Sequence, residues 1–326
     1  FILKGWKEEV YATHNAILKV LFESSETTRN RKSHYKRPSS DFWMSKTFEQ
    51  PETPEYWSMG NKVIKDLISK FAVTLSGKKS KLVDVDTATF QEIVKLVDDT
   101  WQGQFVGQGN DAVNLRHSRI KVLKVKMVQN IELFNLYFKT RQEIFKSLWM
   151  SKQESFPHLE KIKRNREGHI KTSRVGKCLT RDIYPEINEY YFFHGTKVDK
   201  IDAICENGLD YRLGNKKAML GGGIYGAESS TKADQYTDSK QARTPGEKKM
   251  FLMRMVLGNI FVCTDPNPYK YKRPPCRTCF RDDCANTRHD GYFDSVVGDM
   301  GKLFREFVVY DKSQCYPEYI ITYARV

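Results

Sequence analysis

The sequence predicts an α+β protein in which split antiparallel sheets surround a cleft and helices flank the sheets. Two observations support this fold class. Apolar residues at helical spacing mark several segments in the first half of the chain, and short apolar strand patterns outnumber helical ones in the second half. No internal repeat is evident. We therefore expect one large folded domain with an extension.

The composition is typical of a globular protein, because 40% of the 326 residues are hydrophobic and a chain of this length can bury a full core. No apolar run approaches the roughly 18 to 20 residues that a bilayer span needs, and no signal peptide is visible. The chain begins with Phe1, so we expect a piece of a longer protein. Seven cysteines without a signal peptide favour a reducing compartment, the nucleus or the cytoplasm.

Positive charge dominates the chain: 54 Lys and Arg residues outnumber 40 Asp and Glu residues, which gives a formal net charge of +14. Such a balance attracts polyanions, including nucleic acids, through long-range electrostatics. Basic residues concentrate between Lys161 and Lys177, where the lack of apolar periodicity indicates a loop. A solvated lysine surface explains the composition equally well, because no basic motif with interleaved aromatic residues occurs.

The first 78 residues are predicted to form a mostly helical extension of unknown role. Near-helical spacing of apolar residues predicts helices over 5–22 and 61–71, and the basic stretch 29–40 predicts an exposed linker. The pattern changes after residue 78. The main domain is therefore expected to span residues 79–326.

The first elements of that domain follow from strand patterns and capping residues. We predict a strand over 82–85, then a helix capped by Asp86 or Thr87. An amphipathic strand over 119–128 and a helix capped by Asn130 follow. A charged loop over 151–180 completes this half of the domain.

The second half is expected to begin with a strand over 189–193 that leads to His194. Thr196 is suited to cap the next helix, and Gly208 is suited to end it. A further apolar strand is predicted over 250–257, with Arg254 as its single arginine.

Three consecutive glycines, Gly221 to Gly223, stand close to Tyr225 in the most informative stretch of the chain. Glycine lacks the Cβ that would block a close approach of the backbone to a flat group. Alone the triplet also fits an ordinary turn, and it does not follow the Gly-x-Gly-x-x-Gly spacing. Further signals lie around it: the tripeptide 194–196, a second tyrosine at Tyr236, and one carboxylate, Glu306, in an apolar strand.

Together these residues resemble the catalytic domain of the poly(ADP-ribose) polymerases, in the ADP-ribosyltransferase superfamily with a histidine, tyrosine and glutamate signature. The ending 316–323 is most similar to the tankyrases. The resemblance covers 185–326 strongly and 80–185 weakly, and it does not include the first 78 residues. It implies the ADP-ribosyltransferase fold, with split antiparallel sheets around a cleft for NAD⁺, which is the substrate.

The resemblance also implies a role for each matched residue. His194, Tyr225 and Glu306 are the implied catalytic residues: His194 would hold the adenosine ribose, and the Glu306 carboxylate would stabilise the ribosyl cation and polarise the acceptor hydroxyl. Gly195 would pair with the nicotinamide carboxamide, and Tyr236 would stack on its ring. The other residues expected to bind NAD⁺ are His194, Thr196, Arg212, Gly223, Tyr225 and Ala233. Without the resemblance, a structural histidine and an exposed glutamate paired with Arg305 or a neighbour are the alternatives.

Two positions depart from the family's pattern. Ala233 stands where the family has a serine that bonds the carboxamide, unless Ser229, Ser230 or water replaces its hydroxyl. Gly226 stands where many members have phenylalanine, which is expected to widen the pocket. The glutamate at 306 is found in members that extend chains of ADP-ribose. Its presence therefore permits elongation.

Four potential metal ligands crowd together within 276–289, as Cys276-x2-Cys279-x4-Cys284-x4-His289. Three thiolates and an imidazole at these separations can form a tetrahedral site for a structural Zn²⁺. Tankyrases carry a short zinc-binding insertion with a different ligand order, which supports this interpretation. A chance cluster of thiols and a redox pair at Cys276 and Cys279 are the alternatives.

The leading functional hypothesis is NAD⁺-dependent transfer of ADP-ribose to protein side chains, with nicotinamide release and elongation into poly(ADP-ribose). The expected partners are acceptor proteins, the chain itself included, and nucleic acid or poly(ADP-ribose) at the basic surface. No membrane partner is expected. A binding module that keeps the cleft without turnover and an NAD⁺ hydrolase that uses water as acceptor are the alternatives.

Overall fold

The computed structural model describes residues 45–47, 49, 53–57, 78–162, 168–213, 218–265, 268 and 271–326. The predicted helices over 5–22 and 61–71 and the predicted linker over 29–40 lie outside these residues. Across the described ranges, no helix combines the length and the apolar character that a membrane span requires.

Short strands and a few helices form the described chain, which confirms the α+β class. In chain order the elements are β1 (Lys81–Asp84), α1 (Thr87–Asp99), β2 (Ile120–Gln129), α2 (Ile131–Met150), β3 (Glu189–Gly195), α3 (Ile201–Asn207), β4 (Ile224–Gly226), α4 (Ser230–Asp234), β5 (Lys248–Val256), β6 (Ile260–Cys263), β7 (Ser295–Gly298), β8 (Glu306–Val309) and β9 (Cys315–Arg325). Single 3₁₀ turns interrupt several of the connections.

The strands form two sheets, as predicted. The first sheet has the order β1-β2-β9-β5-β3 and is antiparallel throughout. The second has the order β4-β8-β7-β6, and its β6–β7 pair is parallel. This parallel pair differs from the expectation of purely antiparallel sheets. It is possible because the long connection over 264–294 lets the chain cross over before β7 begins.

The helix caps show where local sequence signals were sufficient. Asp86 accepts a hydrogen bond from the Thr89 N–H (2.7 Å), and Asn130 accepts one from the Leu133 N–H (3.2 Å), which confirms both caps. The expected cap at Thr196 is wrong. The chain enters α3 through a 3₁₀ turn over 198–200, whose own i→i+3 hydrogen bonds take the place of a side-chain cap. Gly208 ends α3 as predicted, with a positive φ of 76° that glycine adopts without steric cost.

Part of the predicted extension packs against the domain core. The Trp57 ring is 4% exposed and lies 5.3 Å from the Phe134 ring and 6.2 Å from the Tyr316 ring, measured between centroids. These aromatic contacts bury a large apolar area between the extension, α2 and β9. The domain boundary at residue 79 stays a prediction.

The two sheets pack face to face through a second apolar cluster. Phe192 of β3 lies against Phe307 of β8, with ring centroids 4.6 Å apart. Met253 and Met255 of β5 and Cys315 of β9 also belong to the first sheet's side of this cluster. Since Phe307 directly follows Glu306, the packing of this ring fixes the start of β8 relative to β3.

A buried network of charges lies on the other face of the first sheet. The single arginine of β5, Arg254, is fully buried and forms a 2.5 Å ion pair with Glu318 of β9. The Tyr56 hydroxyl (2.6 Å) and the Tyr191 hydroxyl (2.7 Å) donate hydrogen bonds to the same carboxylate. Arg254 also donates to the Asp182 carbonyl (2.8 Å). The network therefore connects β3, β5, β9 and the loop before β3.

We expect Glu318→Gln to lower the free energy of unfolding by about 3–5 kcal/mol, because it leaves the Arg254 charge buried without its main partner. Urea denaturation of both proteins measures this difference. Asp99→Asn is the matched control, because the Lys95–Asp99 pair is exposed and such pairs contribute at most about 1 kcal/mol. A loss for Glu318→Gln as small as the control's would contradict the prediction.

Candidate active site

His194 lies near the end of β3, where a bridge joins the two sheets. Phe193 and Ala227 exchange two backbone hydrogen bonds, each 2.8 Å long. This bridge brings His194 Nδ1 to 2.8 Å from the Tyr225 carbonyl oxygen. A carbonyl only accepts, so Nδ1 carries the proton, and burial lowers the pKa of the imidazole. The neutral ring is left with Nε2 as an acceptor for a hydroxyl group.

The glycines at 195 and 223 are required by close approaches within the protein. A Cβ at Gly195 would lie 1.8 Å from the Ala233 carbonyl oxygen, so α4 could not pack against the end of β3. A Cβ at Gly223 would lie 2.3 Å from a Val308 side-chain carbon of β8. Both glycines therefore let the segments around the cleft come together.

Gly226 does not widen the cleft, contrary to the expectation from sequence. A Cβ at this position would lie 2.5 Å from the Met255 sulfur and 2.9 Å from Phe192. The position faces the packed interior between the sheets. Met255 and Phe192 occupy the space next to this glycine.

Tyr225 forms a fixed wall beside His194. Its hydroxyl donates to the Gly221 carbonyl (2.8 Å) and accepts from the Leu220 N–H (3.0 Å). Burial raises the pKa of this hydroxyl, so it stays protonated. Because both hydrogen bonds hold the phenol against the 220–221 turn, its ring has little freedom to rotate.

The short helix α4 supplies the next part of the site. Ala233 is 1% exposed, and the two serines before it do not replace the missing hydroxyl. Ser229 donates to the Thr100 carbonyl (2.9 Å), and Ser230 donates to the Val97 carbonyl (2.8 Å). Both hydroxyls therefore point to the end of α1. The departure from the family pattern at 233 is not compensated by either serine.

Tyr236, just after α4, is the exposed aromatic ring of the cleft. It is 40% exposed, which leaves a ring face open to stack on a ligand. Its hydroxyl donates to an Asp111 carboxylate oxygen at 2.7 Å. Burial of the hydroxyl, then its bond to Asp111, and then the charge of Glu306 raise the pKa of Tyr236.

Glu306 is the first residue of β8 and is 8% exposed. Its carboxylate lies 3.3 Å from the Lys232 ammonium, so the suggested pairing with Arg305 is wrong. Arg305 instead points to the other side of the strand and binds Glu228 with two hydrogen bonds of 2.8 and 2.7 Å. Sequence alone gives Lys232 no firm role, because a single lysine in a short helix carries no periodic signal.

Arg212 is paired with a carboxylate of its own turn. It is exposed and makes two hydrogen bonds from Nε to Asp210, 2.9 and 3.1 Å long. Hydrogen bonds from Arg212 lower the pKa of Asp210 to about 2. To reach a bound dinucleotide, Arg212 would have to leave this ion pair.

The four metal-ligand candidates also come together. One ligand atom from each of Cys276, Cys279, Cys284 and His289 lies within 4.8 Å of the others. His289 Nδ1 is 3.5 Å from the Cys276 sulfur and 3.2 Å from the Cys284 sulfur. The Asn286 side-chain amide lies 3.0 Å from His289 Nε2 and orients the ring. Three thiolates and one imidazole at these separations fit a tetrahedral zinc ion.

Two sheets with a histidine, two tyrosines and a buried glutamate near their junction are consistent with the ADP-ribosyltransferase fold. Residues 137–325 match the family model of the poly(ADP-ribose) polymerase catalytic domain, which is more than half of the chain. The chain therefore belongs to this family. The similarity to tankyrases in particular stays a prediction.

Three relatives illustrate the match. Protein mono-ADP-ribosyltransferase PARP11 of Mus musculus is 31% identical over 156 residues, 43% of each chain. Protein mono-ADP-ribosyltransferase PARP12 of Mus musculus is 31% identical over 140 residues, 43% of this chain and 17% of the relative. A probable poly(ADP-ribose) polymerase of Dictyostelium discoideum is 26% identical over 136 residues, 41% and 34% of the two chains. The chain thus spans less than half the length of each of these relatives.

The neutral state of His194 predicts a pH dependence of stability. Since burial lowers its pKa below 6.5, the unfolded chain takes up a proton at this residue before the folded chain does. Stability is full above pH 6.5 and falls as the pH drops towards the lower, folded pKa, by at most about 1.4 kcal/mol per pH unit. Urea denaturation measures the free energy of unfolding of the wild type and of His194→Asn. The difference between the two values should shrink as the pH falls. A difference that stays constant from pH 7.5 to 5 would contradict this prediction.

Proposed function

We propose that this chain is an NAD⁺-dependent ADP-ribosyltransferase that transfers ADP-ribose to protein side chains, its own included, and releases nicotinamide. The main support is the position of Glu306, a nearly buried carboxylate held by Lys232. Its negative charge lies among the groups that would hold a dinucleotide. Family membership supports the same reaction class.

In the proposed reaction the bond between ribose C1′ and the nicotinamide nitrogen breaks, and its electron pair goes to the ring nitrogen. Positive charge then moves from the ring to the ribose. Glu306 would stabilise this developing charge, since a fixed carboxylate in a water-poor site acts strongly on a nearby cation. It would also accept the proton of an acceptor hydroxyl that attacks C1′.

His194, Gly195, Thr196 and Tyr236 would bind the substrate around this centre. The free Nε2 of His194 would accept a hydrogen bond from a ribose hydroxyl, and the Tyr236 ring would stack on nicotinamide. Ala233 offers no hydroxyl to the carboxamide. The loss of one hydrogen bond costs on the order of 1 kcal/mol, which lowers the affinity roughly fivefold. Binding therefore persists in the proposed site, although it is weaker than with a serine.

Elongation into poly(ADP-ribose) is a second candidate, favoured by one observation. Glu306 is the residue that the resemblance associates with chain extension, and its carboxylate is oriented by Lys232. The relatives named above as mono-ADP-ribosyltransferases support transfer of a single unit instead. The two products differ on a denaturing gel after incubation with labelled NAD⁺: single transfer gives a sharp band and elongation gives a smear.

Glu306→Gln should lower nicotinamide release by about 10²-fold or more, because it removes both the charge and the general base. Chromatographic measurement of nicotinamide from purified protein and NAD⁺ tests this. Glu247→Gln is the matched control, since Glu247 is an exposed carboxylate before β5. Equal release by the wild type and Glu306→Gln would overturn the proposal. Release without labelled protein would indicate the hydrolase instead, and polymer binding without any release would indicate the binding module.

We also propose that the cluster of three cysteines and one histidine binds a structural Zn²⁺. Next to this cluster, Tyr271 and Phe293 pack against the Phe261 ring of β6, with centroids 6.0 and 5.4 Å apart. A metal that holds residues 276–289 together would therefore support the edge of the second sheet. The ligands lie outside the cleft residues, so the ion's role would be structural.

Elemental analysis of the purified chain should find about one zinc per chain, the content of a four-ligand structural site. Cys279→Ser should lose the metal and melt at a lower temperature, because binding free energy contributes to folding. Cys178→Ser is the control, since this half-buried thiol lies elsewhere in the fold. If Cys279→Ser retained the zinc of the wild type, the assignment of the site would be wrong.

A further inference from the structure

Asp111 is a carboxylate at the cleft that no sequence signal marked. It lies in the connection between α1 and β2, called here the 102–118 loop. This loop runs beside α4 and the start of β8. The Gln102 N–H donates to the Thr231 hydroxyl of α4 (2.6 Å). The Phe105 ring lies 5.4 Å from the Phe304 ring, two residues before Glu306. The loop therefore forms one side wall of the proposed active site.

The backbone at Asp111 is held in place by Arg243. This guanidinium donates to the Asp111 carbonyl (2.6 Å) and to the Val113 carbonyl (3.1 Å). It is itself paired with Asp238 at 2.7 Å. Gly107 makes the preceding turn, with φ 77°, and a Cβ there would lie only 2.8 Å from the Leu115 carbonyl oxygen. These contacts fix the backbone at Asp111 and therefore the direction of its side chain.

The Asp111 carboxylate faces the residues proposed to do the chemistry. One oxygen accepts the hydrogen bond from the Tyr236 hydroxyl at 2.7 Å and lies 3.9 Å from the Lys232 ammonium. Lys232 is also 3.3 Å from Glu306 and lies over the Tyr236 ring at 5.0 Å. Lys240 lies 3.7 Å from the other oxygen. Its side chain is 45% exposed, against 15% for Lys232, so water screens its charge more strongly.

A hydrogen bond from a phenol to a carboxylate makes the aromatic ring richer in electrons. An electron-rich ring face attracts a cation more strongly than it attracts a neutral ring. In the proposed reaction the nicotinamide ring is a cation in NAD⁺ and becomes neutral when its bond to ribose breaks. A charged partner behind Tyr236 would therefore favour the substrate over the released product.

We infer that Asp111 is a positioning residue of the nicotinamide subsite, which orients Tyr236 and gives its ring a preference for the cationic nicotinamide of NAD⁺. The inference rests on the proposed function. Because the ring loses its charge on the way to the transition state, Asp111 stabilises bound NAD⁺ more than it stabilises the transition state. Removing its charge should therefore raise both the KM for NAD⁺ and kcat by similar factors, which leaves kcat/KM nearly unchanged.

The test compares two ring probes that need no turnover: neutral benzamide and the cationic 1-methylnicotinamide. Asp111→Asn keeps an oxygen that can accept from Tyr236, so the ring stays in place while the charge is lost. Calorimetry should show that affinity for the cation falls about two- to fivefold, the range of an exposed cation–ring contact. Affinity for benzamide should stay unchanged. Asp99→Asn, on the exposed side of α1, is the matched control.

A double variant identifies the route of the effect. If Asp111 acts through the phenol, Tyr236→Phe should lose the same preference, and adding Asp111→Asn should change nothing further.

An equal loss for both probes would show that Asp111 only supports the structure, and no loss for either probe would also overturn the inference. A wild type that binds neither probe overturns it as well. A wild type that binds both with this preference but releases no nicotinamide would overturn the proposed function alone.

Discussion

The fold depends on one buried ion pair, between Arg254 of β5 and Glu318 of β9. Burying two charges costs free energy unless each finds several partners, and the molecule supplies them from distant segments. These partners include the hydroxyls of Tyr56 and Tyr191 and the carbonyl and carboxylate of Asp182. Strand β3, which holds His194, is thus anchored beside β5 by more than its ladder of hydrogen bonds. Each buried charge keeps its partners only when β3, β5 and β9 are arranged in this way. The ion pair therefore restricts the arrangement of the strands.

The sequence was informative where a physical signal is local. Asp86 and Asn130 cap helices because a side chain can reach a backbone N–H three residues on. Strand patterns placed β1, β2, β3 and β5 closely, and the family resemblance pointed to Glu306 and the two tyrosines. Thr196 failed as a cap because the chain enters α3 through a 3₁₀ turn. The parallel β6–β7 pair has no local signature, since register between distant strands depends on the whole sheet.

Two charged residues, one in a short helix and one on a loop, were the part of the site that sequence could not supply. Lys232 and Asp111 are far apart in the chain and meet only because the 102–118 loop packs on α4. A lone lysine or aspartate on a loop or short helix fits a solvated surface equally well. The glycine run shows that one residue type can serve two purposes. A Cβ at Gly223 would meet Val308, so packing within the protein already requires glycine there, and the contact with a flat ligand stays a prediction.

The position of Lys232 explains how two carboxylates can share one cleft. Two negative charges without a cation between them would repel each other. The ammonium lies 3.3 Å from Glu306 and 3.9 Å from Asp111, so its charge offsets that repulsion. In the proposed site the two carboxylates would act on different parts of the substrate: Glu306 on the ribose, and Asp111, through Tyr236, on the nicotinamide ring. In the proposed reaction the positive charge moves from the nicotinamide ring to the ribose. A site with a carboxylate near each of these groups can therefore act on the charge both before and after it moves.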